Sequence, residues 1–207
     1  MNLNKTLRLW LLILAIIPTA TWAKPAGEEN EPGLEALAYS YALQAYLYTY
    51  PLFITDREVK RRERLNTPLT NAPIAPINRL GHLTALANAD SNMPYSPNND
   101  TLYTGIALDL RDGPIVLHMP EIKDRFAVVH VTNAYVENQP YLYSPRVNGG
   151  EAIDLAFTPP GWEGPLPDGV EQVPMDTNYA FMAVRIAING EHELDIVRAY
   201  QSQMSLT

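Results

Sequence analysis

The sequence contains no cysteine, which excludes disulfide bonds, thiolate metal ligands and a cysteine nucleophile. Basic residues are also scarce, since 15 Lys and Arg stand against 23 Asp and Glu and the formal net charge is -8. The longest basic run is Lys60–Arg62. Nucleic-acid-binding proteins carry a basic patch or stripe. The sequence therefore predicts no nucleic-acid partner.

Several enzyme motifs are missing as well. The sequence has no GxSxG, no HExxH or HxH, and no GxGxxG. His118 and His130 lie on successive predicted strands, and they would approach each other if those strands formed a hairpin turning at 120–125. Two histidines fall short of the three protein ligands that a catalytic zinc ion usually has. We therefore predict no metal site, and the motifs identify no cofactor.

A short apolar run near the N-terminus is typical of a secretory signal. Lys5 and Arg8 precede the apolar stretch Leu9–Ile17, and Ala23 offers a small residue at the cleavage position. The stretch is shorter than the roughly 20 residues that span a bilayer. We predict a signal peptide at 1–23 and a flexible linker at 24–32. The mature protein is then periplasmic or secreted, without a stable membrane span; an uncleaved anchor is the alternative.

The remaining residues, 33–207, are predicted to form a single domain with a helical start. Apolar residues recur near helical spacing from Gly33 to Tyr50, and Pro51 is expected to end this helix. Its dense tyrosines are predicted to pack in the core, with a ligand pocket as the alternative. The charged stretch 56–64 is predicted to be a solvated helix face. His82 lies in a short helical pattern, so residues 33–92 are expected to be mainly helical.

Residues 93–190 have the alternation of β-strands, and residues 191–207 are predicted to be helical. Proline and glycine, 18 and 11 residues, are spread along the chain and favour many short elements. The hydrophobic share of 46% is sufficient for a packed core. We therefore predict an α+β fold, in which N-terminal helices pack on an antiparallel, jelly-roll-like β-sandwich and a C-terminal helix follows. The predicted strands are 102–110, 115–119, 126–132, 141–144, 152–158, 170–173 and 179–188.

A series of motifs resembles one bacterial family. NNDTLY (98–103), GPIVLHMP (113–120), Asp124-Arg125-Phe126, PPGWEG (159–164) and a strand containing Arg185 occur in the order seen in the DUF1254 family. The resemblance runs from about Tyr50 to the C-terminus. It implies an exported protein whose DUF1254 domain is normally followed by a second β-rich domain, DUF1214. This second domain is missing here, and we expect a separate chain or a homo-oligomer to replace it.

Polar residues at predicted strand ends are the candidate site. Asp100 is a candidate base, and its alternative role is an Asx-type turn that starts a strand. Arg125 and Arg185 lie in apolar strands, where each would serve an anionic group or an internal ion pair. The predicted catalytic residues are Asp100, His130, Tyr103 and Arg125. The predicted ligand-binding residues are Asn98, Asn99, Thr101, Tyr135, Trp162 and Arg185.

Two functional hypotheses follow from these patterns. The first is an exported binding or assembly module that pairs with a second β-rich domain. The alternative is a periplasmic hydrolase-like or metal-assisted enzyme that acts on a small molecule. The sequence specifies neither a reaction nor a substrate.

Overall fold

A computed structural model describes residues 32–88, Ser91 and residues 98–207. The predicted signal peptide 1–23 and residues 24–31 of the predicted linker lie outside the described residues. The elements in chain order are helix α1 (Pro32–Glu63), β1 (Gly81–His82), β2 (Thr101–Asp109), β3 (Ile115–Met119), β4 (Ala127–Asn133), β5 (Ile153–Thr158), β6 (Val170–Pro174), β7 (Tyr179–Ala187), a 3-10 turn (Glu191–Glu193), helix α2 (Leu194–Gln203) and β8 (Ser205–Leu206).

The strands form two four-stranded sheets. Sheet A has the order β1-β2-β7-β4, and each pair of adjacent strands in it is antiparallel. Sheet B has the order β6-β5-β3-β8 and contains one parallel pair, β5–β6. The connection 159–169 returns the chain to the same end of the sheet, which a parallel pair requires. The predicted α+β sandwich is confirmed, with this one pair as the departure from a fully antiparallel arrangement.

The core lies between the two sheets. Along β7 every second side chain is buried, from Ala180 to Ile186, because successive side chains of a strand point to opposite faces. Leu102 and Ile106 of sheet A belong to the same buried cluster as Leu117 and Phe157 of sheet B. The other face of each sheet is therefore where polar side chains collect.

Helix α1 continues through Pro51 to Glu63, so the prediction that Pro51 ends it was wrong. A proline removes one helical hydrogen bond and usually kinks or breaks a helix. Tertiary contacts hold the residues that follow. Thr55 donates from its hydroxyl to the carbonyl of Ala134 at 2.8 Å, and Val59 is 4% exposed. These contacts stabilise the helix beyond the proline.

Three further predictions need correction. His82 lies in strand β1, where a Cβ on Gly81 would come within 2.7 Å of the Ile74 backbone, so the close chain approach depends on glycine. Residues 141–144 make a single bridge, between Tyr143 and Val129, instead of a strand. Strands β3 and β4 lie in different sheets and form no hairpin, so His118 and His130 are not partners.

The chain divides into two compact units, residues 1–47 and 48–207. The described part of the first unit is helical, and every residue from Gly33 to Leu47 is exposed. Tyr39 and Tyr41 are 72% and 62% exposed. In the second unit Tyr48 is 68% exposed. The prediction that the tyrosines of this helix pack in the core is therefore wrong.

Candidate functional site

The predicted site residues that come together lie on the outer face of sheet A, which points away from the sandwich core. The strand register places Tyr103 of β2 opposite Arg185 of β7, and Arg185 opposite Val128 of β4. The next outward-facing row of this surface contains Gly105, Ala183 and His130. Since directly opposite residues are neighbours on one face of a sheet, three strands bring these side chains together.

Arg185 and Tyr103 are in direct contact. The guanidinium carbon of Arg185 lies 5.4 Å from the centre of the Tyr103 ring, a cation–π geometry. The Asn98 side-chain amide donates to the Tyr103 hydroxyl at 3.2 Å. The Nε atom of Arg185 is buried and has no hydrogen-bond partner among the described residues. This arginine is therefore held by an aromatic ring and not by a carboxylate.

Asn98 forms the turn that starts strand β2. Its Oδ1 accepts from the backbone N–H groups of Asp100 and Thr101 at 2.7 and 3.2 Å. Asp100 contributes its main-chain carbonyl, which accepts from the N–H of Ile188 at 2.9 Å. The Asp100 residue is exposed, as is Asn99, while the Thr101 hydroxyl is buried and has no partner among the residues that the structure describes. The Asx-type turn predicted around Asp100 thus has Asn98 as its acceptor.

Arg125 has the internal ion-pair role that was its alternative. Its guanidinium contacts Asp124 at 3.0 Å and Glu193 at 2.8 Å, and it donates to the carbonyl of Ala187 at 3.3 Å. The Arg125 side chain is 11% exposed. Although burial by itself lowers the pKa of Arg125, these carboxylates raise it overall. All donors facing the cluster are used, and the residue ties β4 to the start of helix α2.

His130 and Tyr135 have partners of their own near the end of β4. The Nε2 atom of His130 is 2.7 Å from Oδ1 of Asn138, and its ring centre is 5.6 Å from that of Tyr141. The ring centre of Tyr135 is 5.6 Å from that of Tyr48, and a hydrogen bond with Tyr48 raises the pKa of Tyr135. His130 therefore borders the part of the outer face of sheet A that carries Arg185. Tyr135 contacts helix α1 through the ring of Tyr48.

Trp162 lies elsewhere in the fold, in the connection between β5 and β6 of sheet B. Its ring covers Gly164, where a Cβ would come within 3.0 Å of ring atoms, and its indole Nε1 is buried without a partner. The tight PPGWEG turn explains this position. Trp162 thus belongs to the edge of sheet B and does not contribute to the outer face of sheet A.

A row of three polar residues on the outer face of sheet B is absent from the predictions. His118 of β3 lies opposite Asp154 of β5 on one side and Ser205 of β8 on the other. Its Nδ1 atom is 2.8 Å from Oδ1 of Asp154. The alternation of GPIVLHMP marks His118 as outward-facing, but no sequence signal specifies which strands flank it.

A buried polar cluster joins β1, β2 and helix α2. The Nδ1 atom of His82 is 2.8 Å from the Thr104 hydroxyl, and burial lowers the pKa of His82. The Gln201 side-chain amide donates to the carbonyls of Leu83 and Tyr103 at 3.1 and 3.3 Å. Gln201 is 3% exposed. These contacts fix α2 against the edge of sheet A.

The exposed part of α1 in the first unit is the second candidate surface. We call residues 34–47 the α1 apolar segment. Leu37 and Tyr41 lie on one side of the helix and Tyr39 and Leu43 on the other, since two residues turn a helix by about 200°. These four are 47% to 72% exposed. The dense tyrosines are a visible signal in the sequence, and helical spacing places them on more than one side of the helix.

Two properties of the described residues concern metal binding and membrane insertion. There, no three His, Asp or Glu side chains are grouped so that they could hold a metal ion. Over residues 32–88, 91 and 98–207, no helix combines the length and apolar character needed to cross a bilayer.

Comparison with known proteins identifies a family. The family model described as "Protein of unknown function (DUF1254)" matches residues 77–207, well over half of the chain. The crystal structure of the VPA0106 protein from Vibrio parahaemolyticus is similar, with a TM-score of 0.59 and 22% identity over 78% of this chain and 36% of that one. An uncharacterized protein from Burkholderia cenocepacia gives a TM-score of 0.34 and 15% identity, over 50% and 31% of the two chains. No curated protein matches.

Proposed function

The chain belongs to the DUF1254 family of proteins of unknown function, and from this premise we propose that it is a binding and assembly module that pairs with a second β-rich domain. The surface that carries this proposal is the α1 apolar segment. The resemblance predicted from the motifs is confirmed by the family match, which covers residues 77–207.

The α1 apolar segment has the composition of a helix that is buried in an assembly. A helix with apolar residues all round is normally enclosed by other elements. Leu34 and Leu47 are 60% and 63% exposed, and Tyr39 is 72% exposed. Isolated helices of this length are marginal in water, and most helical stability in proteins comes from packing. A partner that contacts both sides of the segment would supply that packing.

A second domain is the occupant that the comparisons favour. The chain spans about a third of the length of the Vibrio parahaemolyticus protein, because the matched part is 36% of that chain. The greater part of that relative thus lies outside the region of common fold. We propose that a second β-rich domain with a complementary apolar surface covers the α1 apolar segment.

The test is a site-specific cross-link in the native host. A photoreactive phenylalanine analogue replaces Tyr41, and the cross-linked product is identified by mass spectrometry. We expect one heterologous product that contains a β-rich domain. The double substitution Leu37→Asp/Tyr41→Asp should abolish co-purification of this partner, because both changes place a carboxylate in an apolar interface.

Val147→Asp is the matched control, since Val147 is an exposed apolar residue outside α1, at 54% exposure. It should leave the complex intact. A cross-link to a second copy of this chain would assign the segment to a homo-oligomer and contradict a separate domain. Absence of any cross-linked product from position 41 would contradict the proposal that the chain is an assembly module.

We also propose that the protein is exported. The support is the basic start, short apolar run and small residues of 1–23. N-terminal sequencing of protein from the periplasm should begin at Lys24. An intact N-terminus in the membrane fraction would identify an uncleaved anchor instead.

The row of residues on sheet B favours a second candidate function, a hydrolase-like activity on small esters. Asp154 would hold the His118 ring through Nδ1, at 2.8 Å, leaving Nε2 as the base. Ser205 Oγ would form a bond to the ester carbonyl carbon while its proton passes to His118. The alcohol then leaves with that proton, and water hydrolyses the acyl group. In this hypothesis the catalytic residues are Ser205, His118 and Asp154. They replace the predicted set of Asp100, Tyr103, His130 and Arg125.

A fluorophosphonate probe tests this candidate. Labelling of Ser205 that is lost in both Ser205→Ala and His118→Gln would support it. No labelling of the folded wild-type chain, or equal labelling of His118→Gln, would contradict it.

A further inference from the structure

Arg185 lies in strand β7 and differs from those arginines of this acidic protein that pair with carboxylates. Arg111 and Arg125 each contact a carboxylate, at 2.6 Å from Asp109 and 2.8 Å from Glu193. Arg185 forms no ion pair with any described residue, and its Nε is buried without a hydrogen-bond partner. A buried donor that loses its water without gaining a partner destabilises the fold. The outer face of sheet A thus keeps a guanidinium that no described carboxylate neutralises.

The surroundings hold this guanidinium in place without neutralising it. The Tyr103 ring lies 5.4 Å from its central carbon, and Asn98 donates to the Tyr103 hydroxyl at 3.2 Å. Asn98 is itself held in place because its Oδ1 atom accepts two backbone N–H groups of the turn. Stacking of a planar guanidinium on a ring leaves its edge free to donate in plane. Tyr103 is therefore a positioning residue for Arg185.

The next row of the sheet leaves room beside Arg185. It consists of Gly105 and Ala183, the two smallest residue types, followed by His130. The Pro73 carbonyl closes the side at Gly105, where a Cβ would collide with it. His130 and Arg185 are diagonal neighbours, whose Cβ atoms are typically about 7–8 Å apart. Ala183, the small residue that follows Arg185 on this face, is therefore adjacent to both Arg185 and His130.

We propose that Arg185 binds the carboxylate of a small aromatic acid on the outer face of sheet A. The fork of guanidinium N–H groups matches a carboxylate with two parallel hydrogen bonds. In a chain of net charge -8, a single guanidinium favours a monoanion over a phosphate dianion. The aromatic ring of the ligand lies over Ala183 and contacts His130 and Tyr141, the latter being 57% exposed. This site is independent of the assembly surface on α1.

The test follows the Nε–Hε resonances of the arginines by NMR in the full chain. Titration with benzoate should shift the Arg185 signal saturably, with a Kd of about 1 mM, as expected for one charge-assisted contact. Arg185→Gln should weaken binding about tenfold or more, judged from backbone amide shifts at Ala183 and His130. Tyr103→Leu should also weaken it, while Tyr103→Phe should largely preserve it because the ring remains.

Arg62 provides the matched control. Its Nε is also buried without a partner among the described residues, and its guanidinium carbon lies 5.8 Å from the centre of the Phe181 ring. Unlike Arg185, it donates from a terminal nitrogen to the Ala75 carbonyl at 3.3 Å. Its Nε–Hε signal should stay constant during the titration. Equal shifts of Arg62 and Arg185, unchanged benzoate binding in Arg185→Gln, or no saturable shift at 50-fold molar excess would overturn the proposal. Phosphate that binds more tightly than benzoate would overturn the carboxylate assignment.

Discussion

Asn98 connects the backbone of the turn before β2 with the side chains of Tyr103 and Arg185 on the outer face of sheet A. Its carbonyl oxygen accepts the N–H groups of Asp100 and Thr101, and its amide donates to Tyr103. One residue therefore fixes both the start of β2 and the position of the ring under Arg185. The neighbouring Asp100 side chain is exposed and makes none of these bonds.

Replacement of Asn98 should affect stability more than replacement of Asp100. Asn98→Ala removes the acceptor of two backbone donors and should lower the free energy of unfolding by about 1 kcal/mol. Asp100→Ala should change it by less than about 0.5 kcal/mol, as is usual at exposed positions. Urea unfolding of both variants measures the difference. A larger loss for Asp100→Ala would mean that the Asp100 side chain, and not Asn98, stabilises the turn.

His82 should make stability depend on pH near neutrality. Burial lowers its pKa below the ordinary 6.5, so the folded protein disfavours the protonated ring. As the pH falls through about 6.5, the unfolded chain takes up a proton that the folded chain resists, and the free energy of unfolding decreases. Stability should fall between pH 7.5 and 5.5, and His82→Gln should reduce this slope. An identical slope in the variant would exclude His82 as its cause.

The residue-level predictions succeeded where chain-local chemistry decides the outcome. An asparagine-rich turn before a strand was predictable from NNDT, because such side chains bond to the backbone two or three residues on. Which side chain accepts was not. The difference between Arg125 and Arg185 was also not predictable, since the partners of Arg125 include Glu193, 68 positions away.

At the scale of elements, helix α2 is fixed by polar contacts at both ends. Glu193, just before α2, accepts from Arg125 and from the N–H of Asn189 at 2.8 and 3.0 Å. The Asn189 backbone and side-chain donors and Arg125 together lower the pKa of Glu193. Near its other end, Gln201 reaches the carbonyls of Leu83 and Tyr103. The helix thus joins β4, β7 and the edge of sheet A.

Loss of Arg125 should therefore destabilise the fold more than loss of an exposed cation. Arg125→Met leaves Asp124 and Glu193 without their partner and should lower the free energy of unfolding by about 2 kcal/mol. Lys123→Met is the control, because Lys123 and its partners Glu121 and Glu151 are 48% to 62% exposed. It should cost less than about 0.5 kcal/mol. Equal losses, measured by chemical unfolding, would argue against a structural role for the Arg125 cluster.

Most strands were predictable because their alternation is local. Strand β3 has the predicted bounds 115–119, and β7 differs from the prediction by its last residue. The errors lie where long-range contacts dominate. Pro51 is tolerated because Thr55 and Val59 are anchored, and β1 depends on the approach of Gly81 to Ile74. The pairing order of the two sheets has no counterpart in the linear pattern.

At the scale of the whole molecule, the sandwich and the first part of α1 differ in how their apolar residues are used. The sandwich encloses its apolar residues between two sheets. The α1 apolar segment exposes Leu34, Tyr39 and Leu47. Exposed apolar surface of this kind marks an interaction site in soluble proteins. This contrast is the basis for the proposal that the protein functions as part of an assembly.

The most direct measurement is amide hydrogen exchange of residues 33–47, compared between the isolated chain and the complex captured through position 41. Exposed helical residues with few buried apolar contacts open readily, so these amides should exchange rapidly in the isolated chain. In the complex their exchange should slow by about tenfold or more, while the amides of β7 remain equally protected in both. Slow exchange of 33–47 in the isolated chain, or unchanged exchange in the complex, would contradict the role of this segment as the assembly surface.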